Sequence, residues 1–193
     1  MAEPQTTPRP RDRSYGPTVL LGLAGAGLAA VAGARTWATT QADAAGIRVE
    51  AAVSGAESQP LVVALALVAL AAWGVVLVMR GRLRRLVAAV GLLASAGALL
   101  NVVLGFDAVQ DDALEAAVAR GATGDTFDTA LTGWYYLAGL GALLALAAFA
   151  VAVVRAPGWP AMGAKYDAPA GRAVPPGDED MWRALDEGRD PTS

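Results

Sequence analysis

The chain has 193 residues, 55% of them hydrophobic and 17% charged, with a formal net charge of −3. It contains no cysteine and no histidine, which removes disulfides, thiolate nucleophiles, imidazole bases and most transition-metal sites. The apolar residues fall in long runs rather than in the short periods of a soluble domain, so the expected solvent is a bilayer.

Residues 1–16 read as a tail, rich in proline, threonine and charge as far as Arg13 and expected to be disordered. A hydrocarbon core about 30 Å thick is crossed by about 20 helical residues, because each rises ~1.5 Å and every N–H must find its partner inside the segment. Residues 17–34, 60–79, 86–106 and 133–154 meet that requirement, and none of these stretches contains Asp, Glu, Lys or Arg. They predict an all-α membrane protein, a four-helix transmembrane bundle over residues 17–154, followed by a C-terminal tail, 155–193. The first segment has a second reading as a cleaved signal peptide, since basic residues lead into it and Ala32-Gly33-Ala34 resembles a cleavage site. Its apolar run exceeds the roughly 7–15 residues of a signal core, which favours an uncleaved anchor.

Charge predicts the orientation. Arg9, Arg11 and Arg13 precede the first span, Arg80, Arg82, Arg84 and Arg85 fill the link between the second and third, and Arg155 and Lys165 follow the fourth. The other two loops carry only Arg35, Arg48 and Arg120, against Asp43, Glu50, Glu57, Asp107, Asp111, Asp112, Glu115, Asp125 and Asp128. The positive-inside rule then places both termini in the cytoplasm and the acidic loops outside a plasma membrane. Trp37, Trp134, Tyr135, Tyr136 and Trp159 lie near span ends, where amphipathic rings favour the interface.

In the first outer loop Ile47, Val49, Ala51 and Val53 alternate with Arg48, Glu50 and Ala52, the pattern of a short strand or hairpin. In the second, Phe106, Val109, Ala113, Leu114, Ala117 and Val118 fall at helical spacing, with Asp107, Gln110, Asp111, Asp112 and Glu115 on the other face. This predicts an extracellular amphipathic helix between spans three and four, ended by Gly121 and Gly124. Its acidic face disfavours anionic lipid, so its apolar face is expected over the bundle.

Within the spans, small residues recur every four positions: Gly25, Ala29 and Gly33, then Gly91 and Ser95, then Gly141 and Ala145. Such ridges let backbones approach where lipid supplies no hydrophobic drive, either inside one bundle or at a homo-oligomer seam. Asn101, flanked by Gly97 and Gly105, is the one strongly polar side chain deep in a span. Its amide is expected to bond across to another helix, with a substrate-binding role as the alternative. No nucleotide-binding loop, metal cluster or nucleophile–base pair stands out, so no catalytic residue, cofactor or metal is predicted, and no nucleic-acid partner is expected. The acids of the second outer loop lack the ligand pattern of a calcium site and read as a solvated face. Tyr135 and Tyr136 are explained by the interfacial belt, with a pocket as the alternative.

The tail carries the most specific pattern. After Arg155 come Trp159, Pro160, Met162, Gly163, Lys165, Tyr166 and Asp167, and the chain closes with Trp182, Leu185, Asp186, Gly188, Asp190 and Pro191. With Arg35 and Trp37, these stretches resemble the actinobacterial tryptophan-associated transmembrane protein family in layout and in two motifs. Those are Trp-Pro-x-Met-Gly-x-(Arg or Lys)-Tyr-Asp and a terminal Trp-x-x-Leu-Asp-x-Gly-x-Asp-Pro. Lys165 stands where arginine predominates, keeping the charge but losing the bidentate fork. The resemblance implies an association with tryptophan biosynthesis through gene neighbourhood, and it brings no assigned catalytic residue.

Read physically, Asp180 caps a short helix with Met181, Trp182 and Leu185 on one side, stopped by Gly188 and Pro191. Aromatic anchors on a disordered tail suit docking, which makes Trp159, Met162, Lys165, Tyr166, Asp167, Trp182 and Leu185 the candidate partner-binding residues. The alternative is that Trp159 and Tyr166 lie at the membrane interface and the last helix folds back on the bundle. The expected function is a non-enzymatic accessory protein that recruits or regulates soluble partners, tryptophan-pathway enzymes among them. The alternative is a small oligomeric transporter or sensor for an aromatic amino acid or related metabolite.

Overall fold

A computed structural model of the protein describes residues 14–44, 47–79, 81–122, 127–155 and Trp159. Its elements are α1 (Tyr15–Gly33), β1 (Thr36–Ala44), β2 (Ile47–Ser54), α2 (Gly55–Ser58), α3 (Pro60–Val78), α4 (Gly81–Leu104), α5 (Phe106–Ala119), β3 (Phe127–Leu131) and α6 (Gly133–Arg155). Helices α1, α3, α4 and α6 are long and apolar enough to cross a membrane. At 1.5 Å per residue they extend about 28 to 36 Å, the span of a bilayer core.

The predicted hairpin is present, and it belongs to a larger sheet than the alternation alone suggested. β1 and β2 pair antiparallel with Ala44 opposite Ile47, and β3 pairs antiparallel with the other edge of β1, giving the order β2-β1-β3. Thr40 and Thr129 face each other in the β1–β3 register, and their hydroxyls meet at 2.9 Å. Along β2, Ala51 and Val53 are buried while Arg48, Glu50 and Ala52 are exposed, as the alternation requires.

The amphipathic helix is α5, separated from α4 at Gly105 and ended at Gly121, whose φ of 90° is left-handed backbone that glycine adopts at little cost. Gly124 lies outside the described residues. Val109, Ala113 and Ala117, one face at four-residue spacing, are buried, and the helix packs chiefly on β1 and β2. Phe106 and Val118, expected on that face, are exposed instead. Sheet and α5 together close one end of the bundle, the capped end.

At the opposite end the arginines are placed differently from the expectation. Helix α4 begins at Gly81, so Arg82, Arg84 and Arg85 stand in its opening turns rather than in a link. The physical reason is a very tight connection: α3 stops at Val78, and Gly81 turns the chain with a φ of 65°. Arg84 is only 3% exposed, and its Nε donates to the Met79 carbonyl at 2.9 Å, satisfying an acceptor at the end of α3.

Two kinds of contact hold the spans together. The first is the small-residue ridge. A Cβ added at Gly25 would lie 2.6 Å from the Ala145 amide nitrogen, and one added at Gly141 would lie 2.5 Å from that of Ala29, so α1 and α6 touch backbone to backbone. These four residues are thereby used within one chain. The second is an aromatic stack. Trp73 of α3 and Phe149 of α6 are fully buried, with centroids 4.6 Å apart at 26°. The Trp73 indole lies against Gly22 of α1, and the Phe149 ring against Gly91 of α4, so one continuous line of atoms ties all four spans. The Trp73 indole N–H is buried without a partner among the described residues.

Candidate functional site

Three places were candidates for function: the polar residue at depth, the aromatic end of the spans, and the tail. Asn101 does not bond across helices as expected. Its side-chain amide donates to the Gly97 carbonyl of its own helix at 2.9 Å, the same four-residue back-bond that Ser95 makes to Gly91. Backbone carbonyls one turn away are the nearest acceptors for a short polar side chain in a helix, and they can satisfy it without a neighbouring span.

The aromatic residues divide. Trp37, expected at the lipid interface, is 0% exposed on β1, donates its indole N–H to the Ala32 carbonyl at 2.9 Å, and meets Tyr135 edge-on at 5.2 Å. Tyr135 is also buried, with its hydroxyl donating to the Val102 carbonyl of α4. These two rings are core residues that seat the sheet on the spans. Trp134 and Tyr136 remain exposed, in keeping with an interfacial belt, and the Arg35 guanidinium lies 5.5 Å from the Trp134 ring centroid. Tyr135, Tyr136, Phe106, Val102 and Gly139 border an apolar groove of about 400 Å³ on the outer side of α4 and α6.

A second cavity, about 260 Å³, sits on the capped end and is lined by charged and small apolar residues alike. β2 contributes Ala52 and Val53, α2 contributes Glu57 and Ser58, α5 contributes Asp112 and Ala116, and its C-cap residue Arg120 completes the lining. Ser54 caps α2 through a reciprocal pair: its hydroxyl accepts from the Glu57 amide at 3.3 Å, and the Glu57 carboxylate accepts from the Ser54 amide at 2.9 Å. The Ser54 backbone and hydroxyl hydrogen bonds, aided by the charge of Arg120, hold the Glu57 carboxyl below its ordinary pKa. Across the cavity, the Ser58 hydroxyl donates to Asp112 Oδ2, tying α2 to α5. In the sequence Glu57 and Arg120 count as loop charges and Asp112 as part of the polar face of the amphipathic helix. The signal that would have assembled them is the spacing Asp112, Ala116, Arg120, one stripe of a helix at four-residue steps.

Of the proposed partner-binding residues, Trp159 is described, and it is 5% exposed. Its ring meets Tyr15 of α1 edge-on at 5.1 Å, and its Nε1 donates to the Ser14 hydroxyl at 3.4 Å. Met162, Lys165, Tyr166, Asp167, Trp182 and Leu185 lie outside the described residues, as do the N-terminal tail through Arg13 and the residues 180–191 for which a short helix is expected.

A family model described as tryptophan-associated transmembrane protein matches residues 19–192. The chain belongs to that family. The match runs from α1 to the penultimate residue, so it takes in all four spans, the cap and both tail motifs. No curated protein and no solved structure matches the chain.

Proposed function

We propose that this membrane protein is a non-enzymatic accessory of tryptophan biosynthesis that recruits or regulates soluble partners through its C-terminal tail. One observation carries the reading: Trp159, the first residue of the first tail motif, is fastened to Tyr15 and Ser14 at the start of α1. An indole fixed there holds the first residue of that motif at the end of the bundle where Arg82, Arg85 and Arg155 also lie. That concentration of arginine, against the acid-rich capped end, supports a plasma-membrane protein with both termini and the tail in the cytoplasm. Met162, Lys165, Tyr166, Asp167, Trp182 and Leu185 then form the docking surface, with Trp159 as the residue that positions it.

The test is capture from lysate by full-length protein in lipid nanodiscs, comparing the native chain with Tyr166→Ala and Trp182→Ala. Capture of a tryptophan-pathway enzyme that both substitutions abolish is the expected result. An identical set of captured proteins from native and substituted chains overturns it. A second reading, a sensor of a small metabolite, is favoured by the charged cavity on the capped end, whereas Asn101 satisfied on its own helix supports no transport path.

A further inference from the structure

We infer that the cavity between β2, α2 and α5 binds a free zwitterionic α-amino acid, with its ammonium on the Asp112 and Glu57 carboxylates and its carboxylate on the Arg120 guanidinium. The inference extends the sensor reading and is independent of the tail and its partners.

The first ground is the charge pattern of the cavity, which carries both signs on one rim. Asp112 on α5 and Arg120, the residue that caps its C-terminus, lie two four-residue steps apart, about 12 Å along the axis at 1.5 Å per residue. The ammonium and carboxylate of an α-amino acid stand about 3 Å apart, and a hydrogen bond of about 2.8 Å at each end brings the span to about 8–9 Å, which two side chains rising from positions about 12 Å apart can bracket over Ala116. Ala116 is the residue between them and lines the cavity, so its small side chain keeps the space open.

The second ground is how the charges are used. Ser58 engages one oxygen of Asp112, which fixes the carboxylate toward the cavity while leaving its other oxygen as an acceptor. Glu57 is held by Ser54 through Oε2 in the same way. Arg120 acts on Glu57 through space, and among the described residues its guanidinium donates no hydrogen bond. A ligand with a single charge meets one side of this rim and leaves the other unmatched, whereas a zwitterion meets both with charge-assisted hydrogen bonds. The walls also select the cation. Ala52, Val53 and Ala116 offer no aromatic cage of the kind that holds quaternary ammonium groups, so the carboxylates want an ammonium with N–H donors. The volume is near the lower end of small-molecule sites, about 300 Å³, which fits one amino acid and little more.

The experiment is calorimetric titration of the full-length protein in nanodiscs with L-alanine, L-leucine and L-tryptophan, and with tryptamine, indole-3-propionate and phosphoethanolamine. At least one amino acid is expected to bind, with the two single-charge indoles and phosphoethanolamine at least about tenfold weaker. Arg120→Gln and Asp112→Asn are each expected to weaken binding about tenfold or more, Asp112→Asn with an oxygen still available to Ser58. Ala116→Leu is expected to abolish binding by filling the cavity, with circular dichroism unchanged for all three variants and thermal unfolding unchanged for Arg120→Gln and Asp112→Asn. Failure of every amino acid to bind overturns the inference. So does equal binding of a single-charge analogue, preference for phosphoethanolamine as a lipid-headgroup mimic, or full binding by both Arg120→Gln and Ala116→Leu.

Discussion

Replacing Gly22 by alanine loads the central aromatic stack from one side, and the structure fixes how far it must move. The added Cβ would sit 2.2 Å from Trp73 Cε2 and Cζ2. Carbon atoms come to rest at about 3.5 Å, so the indole must retreat by roughly 1.3 Å. Behind it stands Phe149, stacked at 4.6 Å, and behind Phe149 stands Gly91, where a Cβ would lie 2.2 Å from the ring. There is no flexible side chain in this line to absorb the shift. Overpacking in a core costs about 1–3 kcal/mol, and a rigid stack bounded by helix backbones belongs at the upper end, about 2–3 kcal/mol. Equilibrium unfolding in mixed micelles, followed by far-ultraviolet circular dichroism, measures it. Gly91→Ala closes the same stack from the opposite side, so the double variant should lose about 1 kcal/mol more than the sum of the singles. Trp73→Phe in the Gly22→Ala background should recover part of the loss. A Gly22→Ala protein within about 0.5 kcal/mol of the native chain, or strict additivity of the pair, refutes the stack as the tie between the spans.

Tyr135→Phe removes the hydroxyl donor to the Val102 carbonyl and should cost about 0.5–1.5 kcal/mol in the same unfolding measurement. The Glu57 carboxyl is held below its ordinary pKa, so the α2 cap contributes above the normal carboxylate range and is lost as pH falls through the depressed folded value. Ser54→Ala removes the hydroxyl but keeps the backbone N–H, the larger of the two causes, so the Glu57 titration, read by NMR, should move only part of the way back toward the ordinary range. Trp159→Ala should free Tyr15 and hasten protease cleavage after Arg155, while leaving the unfolding of the spans within about 0.5 kcal/mol of native. Because the chain has no cysteine, Asp128→Cys on β3 and Arg82→Cys on α4 allow direct labelling in intact cells. An impermeant maleimide should reach the first and not the second, and the opposite result reverses the orientation.

The four spans were legible because a bilayer imposes one demand, about 20 residues without charge, that sequence displays openly. The hairpin and α5 were legible for a related reason: Ile47 to Val53 and Phe106 to Val118 each show one clean period. The third strand was not, since Phe127 to Leu131 gives only five alternating residues and its partner β1 is remote in the chain. Trp73 and Phe149 escaped notice because an aromatic residue inside an apolar run has no polar contrast to mark its direction. Only the pairing of Gly22 and Gly91 with those rings reveals them as the centre of the bundle. Trp37 misled for the opposite reason: a tryptophan just past a span matches the interfacial belt, but here a strand folds back and carries it inward. The arginine link misled by one helical turn, since charged residues at a span end can snorkel while remaining helical.

The same packing bears on how the two ends of the molecule could communicate. α1 and α6 meet backbone to backbone through Gly25, Ala29, Gly141 and Ala145, and a one-residue slide of about 1.5 Å would bring larger side chains into a space that has no room for a Cβ. The aromatic stack opposes the same motion in all four helices at once. A change at the capped end therefore does not travel to the tail as a piston stroke of a single span. A coupling between two sites needs an element with two arrangements. The four spans, locked at these contacts, do not supply one.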